Sequence, residues 1–225
     1  MDPMEAGKKA VGEHAAAYVK DGMIVGLGSG STASYMITKL GRRVREGLDI
    51  RGVPTSIKTE RLARESGIPL ADFSSADRID IAIDGADEVD NNLQLLKGGG
   101  GALLREKIVA SAADQLIIIV DETKLVKRLG AFPLPVEVTP FGWEMTANNL
   151  KKLGGDPQLR HEGGDVCVTN NLNYILDCNF REIENPEKLH HTLKLLTGVV
   201  ETGLFINMAD QVITAKQDGI EILKR

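Results

Sequence analysis

Apolar residues fall along this chain in short runs separated by amphipathic stretches, and that alternation predicts the architecture. Met23 to Leu27, Val53-Pro54, Ile79 to Ile83 and Leu116 to Val120 are brief apolar runs, read as strands. Helical spacing fills the intervals: Lys8 to Val19, closed by Asp21-Gly22, then Ala33 to about Arg45, about Thr59 to Ser66, and Ala102 to Ala112. Leu116 to Val120 has no polar member, the mark of a strand buried on both faces. Strands alternating with helices predict βαβ units and an α/β fold with an open parallel sheet covered on both sides.

The pattern changes near Pro133-Leu134-Pro135. Val136 to Val138 reads as a strand, Trp143 to Leu153 as a helix, and Gly154 to Pro157 as a turn. Val166 to Thr169 and Tyr174 to Asp177 read as a hairpin through Asn170-Asn171, followed by a Pro186 to Leu196 helix and a Val199 to Phe205 strand. The order β-α-β-β-α-β is the split βαβ, ferredoxin-like arrangement, a smaller inserted α+β domain at 132–205. Val212 to Ala215 and Ile220 to Leu223, joined across Asp218-Gly219, return to the first domain, which comprises 1–131 and 206–225.

Composition narrows the function. With 225 residues, 42% hydrophobic and 26% charged, the chain has the make-up of a globular protein with a sizeable core. Aromatic residues are 4% and the net charge is −5, which argue against nucleic-acid partners. No apolar run approaches the roughly 18 residues of a membrane span, and the Met1 to Glu5 start lacks the apolar core of a signal peptide. Cys167 and Cys178 read as reduced thiols, His190 and His191 as surface residues, and no metal signature is present.

Four segments at strand ends or a helix start carry chemistry. Ligands of open parallel sheets bind at the carboxyl ends of the strands. Gly28-Ser29-Gly30-Ser31-Thr32 joins a strand to a helix and can hold a phosphate, or simply cap the helix. It matches neither a P-loop nor a dinucleotide fingerprint, which disfavours nucleotides. Asp84-Gly85-Ala86-Asp87-Glu88 places three acids in five residues, as proton-transfer groups, a divalent-cation site or turn formers. Lys97-Gly98-Gly99-Gly100-Gly101 opens a helix that carries Glu106, a base or merely an exposed helix residue. Asp121 to Lys124 follows the most buried strand. Clustered acids and consecutive glycines cost stability, so their presence together points to a site.

Gly28 to Thr32, Asp84 to Glu88 and Lys97 to Gly100, with Arg105-Glu106-Lys107 and Phe132 to Val138, resemble the type A ribose-5-phosphate isomerase family. The likeness runs from Lys8 to the C-terminus, with Ser29 and Gly101 as mild departures at positions where threonine and alanine also occur. It implies a Rossmann-like domain with a smaller inserted α+β domain. It implies interconversion of D-ribose 5-phosphate and D-ribulose 5-phosphate in the pentose phosphate pathway, with no metal or organic cofactor, in a cytoplasmic homodimer or tetramer. By the same resemblance Glu106 is the base, its pKa raised by burial from about 4.3 toward ~6–7. Asp84 assists ring opening and proton shuttling, and Asp87 holds sugar hydroxyls together with the Gly85-Ala86 segment. Lys97 and the amides of Gly98, Gly99 and Gly100 stabilise the oxyanion, roughly 3–4 kcal/mol per good donor. Ser29, Gly30, Ser31, Thr32, Lys8 and Lys124 bind the phosphate. Two readings stand beside it: a non-catalytic sugar-phosphate sensor on the same fold, and a coenzyme A transferase using a glutamate nucleophile.

Overall fold

The computed structural model describes residues 2–76, 78–216 and 219–225. They make two compact units: Met1–Ala86, Arg105–Lys124 and Met208–Arg225 form the first, and Asp87–Leu104 with Leu125–Asn207 form the second.

The first unit is built on a six-stranded sheet in the order Gly219–Lys224, Gln211–Lys216, Leu116–Asp121, Ile81–Asp84, Ile24–Leu27, Arg51–Pro54. Every neighbouring pair is parallel except the first. All six residues of Leu116–Asp121 and all four of Ile81–Asp84 are buried, as a sheet covered on both faces requires. Helices α1 (Pro3–Ala16), α2 (Ser31–Arg45), α3 (Ile57–Glu65) and α4 (Leu103–Ser111) accompany the strands. Val11, Ala15, Met36, Ile37 and Leu40 from α1 and α2 join Ile83, Ile117 and Ile119 of the sheet in one apolar core. The α1–α2 contact is close: a Cβ on Gly12 would lie 3.0 Å from the backbone of Thr32 and Met36.

Side chains set where these elements begin. The strand expected from Ile79 is continuous only from Ile81: Ile79 makes a single parallel bridge to Ala113, and the Asp80 carboxylate takes the Ile24 N–H at 2.7 Å. The Leu116 N–H is taken in the same way by Asp210, also at 2.7 Å. Ser56 accepts from the Thr59 N–H, so α3 opens at Ile57, before the expected Thr59. Helix α1 starts at Pro3 under an Asp2 cap and stops at Ala16, short of Val19.

In the second unit an antiparallel sheet runs Val199–Thr202, Leu134–Val138, Tyr174–Cys178, Pro157–Leu159. With α5 (Trp143–Lys152) and α6 (Pro186–Lys194) it follows the order β-α-β-β-α-β. Leu134, Val136, Val138, Leu176 and Cys178 point to one face and pack with Leu150 of α5 and Leu193 of α6. The expected Val166 to Thr169 hairpin is corrected: Tyr174–Cys178 pairs with Pro157–Leu159, a strand that begins at the last residue of the expected Gly154 to Pro157 turn. Asp165–Val166 pairs with His161–Glu162, and Val168 makes only a single bridge to Tyr174.

The expected Val199 to Phe205 strand is two strands in two sheets. After Thr202 the chain passes through Gly203, and Leu204–Phe205 joins Leu95–Leu96 and Glu88–Val89 in a three-stranded sheet. Those two-residue strands draw 87–104 into the second unit, so its limits differ from the expected 132–205; the Val126 N–H, which donates to the Val89 carbonyl at 2.9 Å, ties in the segment after Lys124. At the tail, Gln211–Lys216 and Gly219–Lys224 pair antiparallel; Asp218 of the expected turn lies outside the described residues.

Gly203 accepts from the Lys97 N–H at 2.8 Å and donates to the Pro135 carbonyl at 2.7 Å. A Cβ there would lie 2.2 Å from the Lys97 carbonyl oxygen, an atom that cannot swing away. Gly203→Ala is therefore expected to destabilise the protein by ~1–3 kcal/mol, read as a lower midpoint in urea unfolding.

Candidate functional site

The carboxyl ends of four adjacent parallel strands put Thr55-Ser56, Gly28-Ser29, Asp84-Gly85 and Asp121 in a row at one edge of the first unit's sheet. Asp84 is the last residue of its strand and only 4% exposed. Its Oδ1 accepts from the Ser29 N–H at 3.0 Å and the Gly85 N–H at 2.8 Å, so one carboxylate ties two strand ends together. Any side chain at position 28 would collide with it, a Cβ falling 2.2 Å from Oδ1.

Glu106 lies in the first turn of α4 and is 6% exposed. It lines the same recess as Asp84, walled by Gly26, Gly28, Thr55 and Val109. A Cβ at Gly26 would come within 2.5 Å of Val109, so this glycine lets α4 lie directly on the strand. Two buried carboxyl side chains thus line one recess, a setting in which a carboxyl group can work as a proton acceptor or donor.

Around them the Gly28 to Thr32 segment divides its work. The Ser29 hydroxyl is a hub, 2.9 Å from Thr55 Oγ1 and Ser56 Oγ and 3.0 Å from Thr59 Oγ1, and Thr59 in turn donates to the Gly28 carbonyl. Ser29 thereby shapes the loop from within. Gly30, at φ 99°, is the N-cap of α2 and brings no side-chain cap, and the first turn of α2 carries no acid. Ser31, exposed, and Thr32, half-buried, stand at that helix start, which suits an anion.

Lys8 holds Glu5 at 2.8 Å, and Glu5 also accepts from the Tyr35 hydroxyl at 2.8 Å. The Glu5 hydrogen bond, with the nearby Asp121 charge adding to it, pushes the Lys8 pKa up and keeps its ammonium charged. Lys124 is half-buried at the end of the 3-10 turn Glu122–Lys124. Asp121 accepts from the Thr123 backbone and hydroxyl and so shapes that turn.

Within the second unit, Asp87 and the glycine loop are built together. Asp87 donates its N–H to the Leu96 carbonyl at 2.9 Å and accepts from the Gly99 N–H at 2.8 Å. A Cβ on Gly99 would strike that carboxylate at 2.7 Å. Gly98 (φ 107°) and Gly101 (φ 77°) take left-handed backbone, and the Gly101 N–H closes the turn on the Gly98 carbonyl at 3.0 Å. Lys97 is 3% exposed with its ammonium 5.4 Å from the centroid of the Phe205 ring. Gly85 and Ala86 are half-buried and end the first unit's stretch of chain.

The third acid has another task. Glu88, 4% exposed, accepts from the Gly130 N–H at 2.7 Å and the Phe132 N–H at 2.6 Å. Both oxygens are given to backbone, which removes Glu88 from the cation reading. Among the described residues no group of three or more His, Cys, Asp or Glu side chains is placed to hold a metal ion. His191 is exposed, whereas His190 is half-buried and bonded to Thr202 Oγ1 at 2.8 Å, which corrects its reading as a surface residue. Cys167 and Cys178 are free thiols, and burial pushes the Cys178 pKa up to about 12. Thr55, Ser56, Thr59 and Arg160 were not singled out from sequence. Only Ser56 carried a signal, as a helix cap before Thr59.

An open α/β sheet with a buried carboxyl pair at its strand ends and a bare helix start beside them is the build of an enzyme for proton transfer on a small anion, an isomerase. The family model for ribose 5-phosphate isomerase A (phosphoriboisomerase A) matches residues 51–219. Ribose-5-phosphate isomerase A 1 of Oceanobacillus iheyensis is 55% identical over 223 residues, covering 99% of this chain and 100% of its own. The solved ribose 5-phosphate isomerase of Plasmodium falciparum is 41% identical with a TM-score of 0.95, covering 99% of both chains. A D-ribose-5-phosphate isomerase in complex with phospho-erythronic acid is 41% identical with a TM-score of 0.94, covering 97% of each. The chain belongs to the ribose 5-phosphate isomerase A family.

Glu88→Gln replaces one accepting oxygen by a donor facing a backbone N–H. The expected cost is ~1–3 kcal/mol of stability with kcat unchanged below the melting range, measured by thermal unfolding beside an isomerisation assay.

Proposed function

We propose that the chain interconverts D-ribose 5-phosphate and D-ribulose 5-phosphate through an enediol(ate), as a step of the pentose phosphate pathway. The observation that carries this is the pairing of buried Glu106 and Asp84 in one recess at the sheet's carboxyl edge. Glu106 takes the C2 proton of the open-chain aldose while O1 gains a proton. O2 then gives up its proton, and Glu106 returns one to C1, so the product is an isomer and the enzyme is unchanged. Asp84, fixed by two amides, serves ring opening and the O1/O2 proton exchange. Lys97 and the amides of Gly98 and Gly100 meet the negative charge that develops on oxygen, whereas the Gly99 amide, expected among them, is taken by Asp87 at 2.8 Å; Asp87 binds a sugar hydroxyl.

The phosphate is assigned to the start of α2, with Gly30, Ser31 and Thr32, and to Lys8 and Lys124. The lack of a side-chain cap and of acids in that first turn supports this. The Ser29 amide and hydroxyl keep the loop in shape for it. No step calls for a metal or organic cofactor. A sensor would need the phosphate groups but not a buried base, and a transferase would need a glutamate open to a bulky thioester, whereas Glu106 is 6% exposed. We place the enzyme in the cytoplasm as a homodimer; its free thiols fit a reducing compartment, and the assembly is carried over from the family resemblance.

The test is isomerisation of ribose 5-phosphate in a buffer containing EDTA. The parent protein is expected to turn over, and Glu106→Gln to lose about 10²- to 10⁴-fold in kcat with KM little changed. An inactive parent, or C2 exchange with solvent deuterium persisting at the parent rate in the variant, refutes the assignment.

Binding energy from the phosphate orients the reacting end of the substrate. Two charge-assisted bonds to it, at about 1.5–3 kcal/mol each, correspond to a loss of about 10²- to 10⁴-fold in kcat/KM for unphosphorylated ribose. Inorganic phosphate is expected to compete with substrate, and near-equal kcat/KM for the two sugars would reduce the Ser31-Thr32 turn to a helix start.

A further inference from the structure

We propose that Arg160, anchored by Asp177, is a positioning residue that sets the direction and donor strength of the glycine-loop amides, Gly100 above all. The inference deepens the isomerase reading and rests on it. Arg160 directly follows the Pro157–Leu159 strand, and its backbone is fixed on both sides: its N–H donates to the Ile175 carbonyl and its carbonyl accepts from the Cys167 N–H, both at 2.9 Å. Asp177 stands in the adjoining strand opposite Gln158. The guanidinium divides its donors. Nε and Nη2 go to the two oxygens of Asp177, while Nη1 goes to the Gly98 carbonyl at 2.9 Å and the Gly99 carbonyl at 3.2 Å.

An ion pair made for stability alone would need only the first half of this pattern, the two-point grip on Asp177. The second half acts on two successive peptide planes. In a trans peptide the C=O and the following N–H point in opposite directions. Holding the Gly98 carbonyl therefore aims the Gly99 N–H, which Asp87 takes at 2.8 Å. Holding the Gly99 carbonyl aims the Gly100 N–H the other way, and a Cβ built at Gly100 would meet nothing within 4 Å. A permanent cation on the carbonyl side also polarises the peptide and makes its N–H a stronger donor. Glycines have no side chains to hold such a loop in one conformation, so an outside clamp is needed if its amides are to be aimed before substrate arrives.

The experiment compares Arg160→Ala, Arg160→Lys and Asp177→Asn with the parent protein. It measures kcat and KM for ribose 5-phosphate, inhibition by phospho-erythronic acid and by inorganic phosphate, and recovery with added guanidinium chloride at sub-denaturing concentration. For Arg160→Ala, kcat is expected to fall about 10- to 100-fold, with KM and phosphate inhibition nearly unchanged. Affinity for phospho-erythronic acid, whose carboxylate supplies an anion at the reacting end, should fall in step with kcat/KM, and guanidinium should restore part of the rate. Asp177→Asn and Arg160→Lys should show smaller losses in the same direction. An Arg160→Ala protein with kcat within about twofold of the parent overturns the proposal, as does an equal loss of phosphate binding. If Arg160→Ala does not fold, unchanged kcat in both milder variants overturns it. A parent protein without isomerase activity would instead refute the reading on which the proposal rests.

Discussion

Everything at the sheet's carboxyl edge depends on the way the Asp84 carboxylate is held. A carboxylate that is 4% exposed must be given hydrogen bonds, and here the Ser29 and Gly85 amides supply them from two strand ends. The geometry leaves no room for a side chain at Gly28. It also directs Ser29 inward, where its hydroxyl knits together Thr55, Ser56 and Thr59 at the next strand end. From that point the chain turns through Gly30 into α2, so the position of the Asp84 carboxylate and the start of that helix are set by one local constraint.

The second unit solves a similar problem with backbone instead of side chains. Lys97 is buried because its N–H pairs with Gly203 and its ammonium lies by the Phe205 ring, both in the stretch where the chain passes from one sheet to another. Gly203 alone permits that crossing, with the Lys97 carbonyl 2.2 Å from where a Cβ would stand. The loop that follows is clamped by Asp87 on an N–H and by Arg160 on two carbonyls. Acids that are neighbours in sequence separate in function here: Asp87 braces the loop, while Glu88 is spent on the Gly130 and Phe132 amides.

Much was legible in the chain because its physics is local. A run such as Leu116 to Val120 has one reading as a doubly buried strand, helical spacing marked α2 and α4, and the Asp84 and Lys97 segments stood out because clustered acids and consecutive glycines cost stability. Misplaced boundaries share a cause. The Asp80 carboxylate takes the first N–H of a neighbouring strand, and Pro157–Leu159, not Val166 to Thr169, partners Tyr174–Cys178, neither of which periodicity reveals.

The sequence by itself determined the parallel α/β unit, the β-α-β-β-α-β unit and the residues with chemistry to offer, since propensity, burial pattern and glycine use act within a few residues of each other. Only the tertiary structure decided which acid does what. Asp84 and Glu106 come to share a recess, Glu88 is consumed by backbone amides, and Arg160, some sixty residues from the glycine loop in the chain, comes to hold it. Hydrogen-bond partners so distant in sequence leave no mark on local pattern, and burial gives a carboxylate its role only once the fold has chosen its neighbours.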